Sequence, residues 1–215
     1  MTKKENYDQL FFESQFILES NKIENIEIPF SQIWRELETY PKSGHTGALV
    51  SANLMANKHM QVTEKMICDW QKLIIQEQNS LCVPSDKIVV SRYLGHYRDC
   101  EVYVGHKSCM PSQAVPICMK HLIDEINYFQ KFVRAKKFGI KTIVEKIADF
   151  HFEFLFIHPF VDGNGRTSRI LAWYLFKYLG LKPFIFTSKD KHETYYKAFD
   201  GMREYFLSKY RQSPV

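Results

Sequence analysis

Residues 158–169 read HPFVDGNGRTSR, and a largely apolar segment lies on each side of this stretch. His158 precedes Pro159, and proline disfavours the α conformation in the residue before it. We therefore expect a helix arriving from about residue 141 to end near His158, with the imidazole at the mouth of a loop. The chain is apolar and helical again from about residue 164 to 179, and Gly180 is the expected C-terminal cap. The sequence thus predicts a short loop, residues 158–163 (the motif loop), between two buried helices.

The residues in and after the motif loop suit phosphate chemistry. Gly163 and Gly165 allow the backbone to turn tightly and to approach a ligand closely. The unpaired N–H groups at the start of the next helix, together with its dipole, favour a bound anion. Arg166 and Arg169 are three residues apart, so both face one side of the first turns and can reach phosphate oxygens. Asp162 is a hard oxygen ligand of the kind that Mg²⁺ takes beside a nucleotide phosphate.

Each of these features also has an ordinary structural interpretation. A loop rich in Gly, Asn and Asp between helices is commonly only a turn, and helix arginines are commonly solvated. All of them fall within twelve residues that abut an apolar helix on each side. This combination favours a phosphate-binding site.

The stretch resembles the Fic family signature, His-Pro-Phe-x-(Asp/Glu)-Gly-Asn-Gly-Arg-x-x-Arg, at every defined position. The resemblance implies a Fic domain with nucleotidyltransferase activity that transfers AMP from ATP to a hydroxyl side chain of a target protein (AMPylation). It implies that His158 is the general base and that Asp162 holds Mg²⁺ on the ATP phosphates. It also implies an ATP-phosphate-binding set made of Gly163, Asn164, Gly165, Arg166 and Arg169.

Residues 88–104 are β-prone within a chain that otherwise reads as helical. Two runs, residues 88–90 and 101–104, flank Gly95, which predicts a β-hairpin. The segment resembles the flap that lies over the active site in the Fic family and receives the target as an added strand. The docking residues implied by this resemblance are Val89, Val90, Tyr97, Val102 and Tyr103. A hairpin with only a structural role is the alternative.

Residues 20–25, Ser-Asn-Lys-Ile-Glu-Asn, match the family's inhibitory pattern, (Ser/Thr)-x-x-x-Glu-(Gly/Asn). The resemblance implies autoinhibition by a segment in which Ser20, Glu24 and Asn25 are the defined positions. In relatives built this way the glutamate pairs with the second motif arginine, here Arg169, and prevents productive placement of the ATP γ-phosphate. Some of these relatives also remove AMP. The alternative is a helix end with a surface carboxylate.

Two adjacent tyrosines are candidates for contact with the adenine ring of ATP. Tyr195 and Tyr196 fall where the family often places a Tyr-Tyr pair in the helix that lines the adenine side of the site. Ordinary core aromatics are the alternative interpretation.

The whole sequence predicts an all-α fold, a helical bundle with a β-hairpin flap. The chain has 215 residues, of which 45% are hydrophobic and 15% aromatic, enough for one compact domain. We divide it into N-terminal helices over residues 1–60, which include the inhibitory segment, and a Fic core over 61–215. The predicted helices cover residues 6–22, 31–39, 45–57, 63–78, 114–133, 141–157, 164–179 and 190–209, with Thr63 as an N-cap.

Composition argues against several other classes of function. The net charge of +5 includes no dense basic run beyond residues 134–137, so nucleic-acid binding is not indicated. The five cysteines are odd in number and form no Cys-x-x-Cys pair, which favours reduced thiols over disulfides or zinc. No apolar run has the length of a membrane helix, and residues 1–7 do not resemble a signal peptide. We expect a cytoplasmic protein, with a secreted effector and a homodimer left open.

Three hypotheses follow for function. The first is an adenylyltransferase that uses Mg-ATP and modifies a Ser, Thr or Tyr hydroxyl of a target protein. The second is a Fic enzyme with another nucleotide donor, such as UTP. The third is a non-enzymatic nucleotide-binding or antitoxin-like module that is silenced by Glu24 and acts through a binding partner.

Overall fold

The computed structural model describes residues 2–39, 43–81, 88–104, 107–135, 138–189, 196 and 201–212. Across these ranges the fold is helical with one small β-hairpin, which confirms the predicted fold class. The helices are α1 (Lys3–Ile23), α2 (Phe30–Glu38), α3 (Gly44–Asn57), α4 (Glu64–Ser80), α5 (Val115–Ala135), α6 (Ile140–Ile157), α7 (Asn164–Tyr178) and α8 (Met202–Gln212). Two 3₁₀ turns cover Ser91–Tyr93 and Ser112–Ala114, and the strands are β1 (Tyr103–Val104) and β2 (Lys107–Ser108).

The helix boundaries follow local capping chemistry. Helix α1 begins at Lys3, earlier than predicted, because Thr2 and Glu5 form a reciprocal capping box. The hydroxyl of Thr63 accepts a hydrogen bond from Met66 N at 3.2 Å, which confirms Thr63 as the N-cap of α4. Gly180 follows the end of α7 with φ 73°, the left-handed conformation expected of a glycine cap. Most of the helix predicted at 190–209 before residue 201 lies outside the described residues, and α8 begins at Met202.

Helix α7 is the centre of the fold. It packs against α3, α4 and α6 and is buried on nearly all sides, which explains why its sequence is apolar around most of its circumference. Its first residue directly follows the motif loop. The fold therefore places the motif loop and the N-terminus of α7 deep in the bundle.

Helix α1 reaches α7 along one face. The Phe16 and Trp173 rings lie 4.5 Å apart, and both side chains are buried in the common core. The C-terminal turn of α1, which carries the expected inhibitory segment, thus ends beside the first turns of α7.

The β-hairpin lies further along the chain than predicted. Residues 88–90 are not a strand: Val89 N donates to Asn79 Oδ1 at 3.0 Å, and Asn79 Nδ2 donates to Val89 O at 2.7 Å. A side chain of α4 thus satisfies the backbone that the prediction assigned to a ladder. The observed pairing is antiparallel and joins Tyr103 to Ser108 and Val104 to Lys107. Among the described residues, no helix is both long and apolar enough to span a membrane.

Candidate active site

His158 terminates α6 as predicted. It adopts φ 52° and ψ 60°, a left-handed conformation that turns the chain out of the helix into Pro159. The buried Arg98 guanidinium holds this turn: its Nε donates to His158 O at 2.8 Å, and the Arg98 backbone N donates to Pro159 O at 2.9 Å. The same guanidinium donates to Cys100 O at 2.8 Å and to Met110 O, which lie on the approach to and the exit from the hairpin. Arg98 therefore ties the base of the hairpin to the backbone of the histidine.

The His158 imidazole is able to accept a proton. Burial, the largest cause, lowers its pKa from the ordinary value of 6.5, so the ring is neutral at pH 7. Its Nδ1 lies 3.3 Å from Leu155 O, and since a carbonyl only accepts, Nδ1 carries the hydrogen. The lone pair is then on Nε2.

The side-chain amide of Asn164 forms two hydrogen bonds to the backbone of the motif loop. Phe160 N donates to Asn164 Oδ1 at 2.9 Å, and Asn164 Nδ2 donates to Phe160 O at 2.8 Å, with both residues buried. The Phe160 ring packs between Tyr97 and Phe154 at centroid distances of 5.6 and 6.3 Å. The Asn164 side chain is thus used within the loop, and only its backbone N–H remains for an anion at the helix start.

Helix α4 packs against the motif loop and forms hydrogen bonds to it. Gly163 has φ 82°, and a Cβ there would lie 2.9 Å from Ile75 Cδ1 of α4, so both conformation and space require glycine. Gln71 Nε2 donates to Asp162 O at 3.2 Å, while Gln71 Oε1 accepts from Gly95 N at 2.7 Å. Gln78 Nε2 donates to Asp162 Oδ2 at 2.8 Å.

Both motif arginines are buried, contrary to the usual behaviour of helix arginines. Arg166 and Arg169 are 1% and 0% exposed. Burial is the largest cause acting on the Arg166 pKa and lowers it, while Asp162 and Glu24 oppose that shift. Arg166 donates to Gln78 Oε1, and no hydrogen-bond partner of its Nε is found among the described residues. Two buried guanidinium groups at a helix N-terminus make a strong anion site.

Glu24 occupies part of this anion site. Arg169 Nη2 donates to Glu24 Oε1 at 2.7 Å, and the Arg169 Nε and Nη2 atoms donate to Ser20 Oγ and Ser20 O at 2.8 and 2.9 Å. The Glu24 carboxylate also lies where a Cβ of residue 165 would be, so it sits directly against Gly165 at the start of α7.

The end of α1 fixes where Glu24 points. Ile26 N donates to Asn21 O and Asn25 N donates to Lys22 O, each at 3.0 Å, which is a Schellman motif with Glu24 as C-cap. Asn25 has φ 58°, the left-handed position of this motif, which explains why the inhibitory pattern requires Gly or Asn there. Of the three predicted inhibitory residues, Ser20 and Glu24 contact Arg169, and Asn25 forms the cap that ends α1.

The predicted docking residues divide into two groups. Val89 is buried and Val90 is exposed, but both lie before the 3₁₀ turn rather than on a strand. Tyr97 packs under the motif loop, and its pKa is raised by burial. Val102 and Tyr103 lie on the hairpin itself: Cys109 N donates to Val102 O at 3.1 Å, and the Tyr103 side chain is 67% exposed.

Of the predicted adenine pair, Tyr195 lies outside the described residues. Tyr196 is partly exposed, and its hydroxyl donates to Ile23 O at 3.3 Å, close to the inhibitory segment.

Sequence reasoning missed the supporting side chains. Gln71 and Gln78 are polar residues on an otherwise apolar helix face, seven apart and fully or almost fully buried. That spacing, two turns of helix, was a signal in the sequence, but it does not indicate which loop the side chains meet. The role of Arg98 in holding the histidine backbone was also not predicted.

The family model that describes the Fic/DOC family matches residues 61–176. Over 189 residues the chain is 26% identical to "Protein adenylyltransferase Fic" of Nematostella vectensis, covering 84% of this chain and 41% of that protein. It is 34% identical over 101 residues to the Aedes aegypti protein of the same name, covering 47% of this chain and 19% of that protein. The chain thus spans less than half the length of the curated relatives that it matches.

Solved structures show the same fold. A Fic domain containing signaling protein from Bacteroides thetaiotaomicron superposes with a TM-score of 0.72 at 21% identity, over 98% of this chain and 86% of that chain. Fic-1 from C. elegans gives a TM-score of 0.63 at 18% identity, over 92% of this chain and 59% of that chain.

Proposed function

Since the chain belongs to the Fic/DOC family, we propose that it transfers AMP from Mg-ATP to a Ser, Thr or Tyr hydroxyl of a target protein. The observation that carries the proposal is a neutral histidine at the end of α6 that one short loop joins to two buried guanidinium groups in the first turns of α7. The similarity to relatives named protein adenylyltransferase, one of which matches 84% of this chain, supports it.

His158 is the proposed general base. The target hydroxyl oxygen attacks the α-phosphorus of ATP, the bond from that phosphorus to the bridging oxygen breaks, and pyrophosphate leaves. The hydroxyl proton passes to Nε2 of His158, which the Nδ1 contact to Leu155 O leaves as the acceptor. The lowered pKa keeps this nitrogen unprotonated at neutral pH.

The phosphates are proposed to bind at the start of α7. The backbone N–H groups from Asn164 onward supply neutral donors, and Arg166 and Arg169 supply charge from positions fixed by burial. Fixed donors that need no rearrangement stabilise charge developing in the transition state, which is commonly the largest contribution to catalysis.

The side chains present fit a magnesium-bound nucleotide. No cluster of three or more His, Cys, Asp or Glu side chains is found among the described residues, and Asp162 is the carboxylate in the loop. Mg²⁺ commonly binds through one or two carboxylates together with substrate phosphates, so a single Asp162 suits it. When bound, the ion would neutralise charge on the α- and β-phosphates.

Glu24 is proposed to restrain the reaction. Its carboxylate bonds to Arg169 and touches Gly165, so it uses the donors that a γ-phosphate would use. ATP could still bind through its other phosphates, but the γ-phosphate would be displaced and the α-phosphate would not be aligned for attack. Since the Glu24 side chain is 29% exposed, a partner or substrate can reach it from solvent.

The same carboxylate suggests a second activity, removal of AMP from a modified target by hydrolysis. We propose that Glu24 orients the attacking water in that reaction. An AMP-modified target incubated with the parent protein and without ATP tests this activity: release of AMP supports it, and stable modification contradicts it.

The hairpin is the proposed docking edge for the target. Because Val102 O accepts from Cys109 N, alternation along an antiparallel ladder turns the backbone N–H and C=O of Tyr103 away from the partner strand. An extended target segment can pair with those groups. Arg98 links the start of the hairpin to the backbone of His158, so a target docked on the hairpin would be close to the proposed general base.

ATP labelled on either the α- or the γ-phosphate tests the proposed function. Covalent label on protein from the α-labelled nucleotide, with none from the γ-labelled one, supports AMP transfer. Label from γ-phosphate would indicate a kinase, preferential use of labelled UTP would indicate another donor, and nucleotide binding without any label would favour the non-enzymatic module.

A further inference from the structure

One face of α4 contacts the motif loop through three buried side chains. Gln71, Ile75 and Gln78 are spaced by four and three residues, lie on one side of the helix and are at most 2% exposed. Ile75 lies against Gly163, and the two glutamines lie on either side of it. Buried glutamine side chains are uncommon and require hydrogen-bond partners.

Gln78 bridges two charged residues of the candidate site, Asp162 and Arg166. Its amide nitrogen donates to Asp162 Oδ2 at 2.8 Å, and its amide oxygen accepts from Arg166 Nη2. One neutral side chain therefore orients a partly buried carboxylate and a buried guanidinium.

The amide is chemically suited to this position. Asp162 Oδ1 already accepts from Gly163 N at 2.5 Å, so the Gln78 donor completes the orientation of the carboxylate and leaves lone pairs for a ligand. A lysine or arginine would neutralise Asp162, and a glutamate would repel it. On the other side, the Arg166 guanidinium bonds to the neutral Gln78 amide, and no carboxylate within ion-pair distance of it is found among the described residues.

We propose that Gln78 is a positioning residue that holds Asp162 and Arg166 in the arrangement that receives a magnesium-bound nucleotide. This role rests on the proposed function, because it concerns the same site. Gln78 touches neither metal nor nucleotide and acts through its two neighbours. Hydrogen-bonding partners of metal ligands typically contribute about 10–100-fold to metal affinity or activity.

The test is Mg²⁺-dependent stabilisation by ADP, followed as melting temperature while Mg²⁺ is titrated. ADP lacks the γ-phosphate, so it does not compete with Glu24 for Arg169. For Gln78→Met we expect the Mg²⁺ midpoint to rise about 10-fold relative to the parent. Gln130→Met is the matched control: Gln130 is equally buried but bonds to Tyr174 on another face of α7, and its Mg²⁺ midpoint should equal that of the parent.

A double-mutant cycle separates positioning from general packing. If Gln78 acts through Asp162, the effect of Gln78→Met on the Mg²⁺ midpoint should largely vanish in an Asp162→Asn background. If Gln78→Met does not fold, Gln78→Asn replaces it, because its amide is one methylene too short to bridge both neighbours.

Equal Mg²⁺ midpoints for parent and Gln78 variant overturn the inference, as does a full effect that persists with Asp162→Asn, or a parent with no Mg²⁺ effect. Failure of the proposed reaction is a different result: the parent would bind Mg-ADP but transfer no label from ATP.

Discussion

Replacing Glu24 by glycine should make the protein less stable and more active at the same time. The Arg169 side chain is fully buried, and the change removes its carboxylate partner while leaving the two Ser20 contacts. Breaking a fully buried ion pair costs about 3–5 kcal/mol and losing a hydrogen bond to a charged group about 1.5–3 kcal/mol. Because the Ser20 contacts remain and Glu24 is partly exposed, we expect Glu24→Gly to lower the free energy of unfolding by about 2–3 kcal/mol.

For a chain of this length each kcal/mol lowers the melting temperature by about 2–4 °C, so Glu24→Gly should melt about 4–12 °C lower without nucleotide. If about 1.4–2.8 kcal/mol of the Glu24–Arg169 interaction free energy opposes γ-phosphate placement, removing Glu24 raises the fraction of bound ATP that is correctly placed for transfer. The initial rate should then rise about 10–100-fold. Glu24→Asp should release the restraint only in part, because the shorter side chain reaches less far.

The assay is initial labelling with α-labelled ATP and Mg²⁺, run beside thermal unfolding without nucleotide. Glu27→Gly is the control, since Glu27 is an exposed glutamate three residues further along and outside a helix. It should change neither the rate nor the melting temperature appreciably. Equal rates for the parent and Glu24→Gly, or an equal gain from Glu27→Gly, would refute the restraint.

Three further predictions concern the hairpin, the buried titratable groups and the motif loop. Tyr103→Pro removes an outward N–H and should reduce target modification at least several-fold, whereas Tyr103→Ala keeps that N–H and should reduce it less; equal modification by parent and proline variant would contradict docking at this edge. Burial raises the pKa of Glu77 to about 7, so its folded form binds the extra proton, and the melting temperature of the parent relative to that of Glu77→Gln should rise as pH falls from 8 to about 6.5. Burial lowers the pKa of His45, and lowers that of His151 to about 3, so both resist protonation when folded, and the stability of both proteins should fall below pH 6.5. Gly163→Ala places a side chain in a left-handed conformation, which costs about 1–2 kcal/mol, and pushes it against α4; weaker binding of ADP to this variant, measured by calorimetry, is the expected result, and unchanged binding would contradict it.

Much of the fold could be predicted because its signals are local. The end of α6 follows from His158 preceding a proline, and the start of α4 follows from the Thr63 cap. The end of α1 near residue 22 was also predicted, and the left-handed φ of 58° at Asn25 suits the Gly or Asn of the pattern at residues 20–25, whose inhibitory role is a proposal.

The remaining features depend on contacts that a local pattern does not encode. The β-prone residues around Val89 form no strand because the Asn79 side chain, ten residues earlier on α4, takes up the backbone groups. Gln78 and Arg98 reach the motif loop from 84 and 60 residues away, so only the folded bundle reveals what they hold.

The most direct test of the central claim replaces His158 in the Glu24→Gly background. His158→Ala removes the base, but alanine is disfavoured at the left-handed φ of 52°, so His158→Asn is measured in parallel because asparagine tolerates that conformation. Both variants should still bind ATP, while transfer of α-label to protein should fall about 10²–10⁴-fold, the usual cost of a lost general base. Undiminished transfer by either variant would contradict the account.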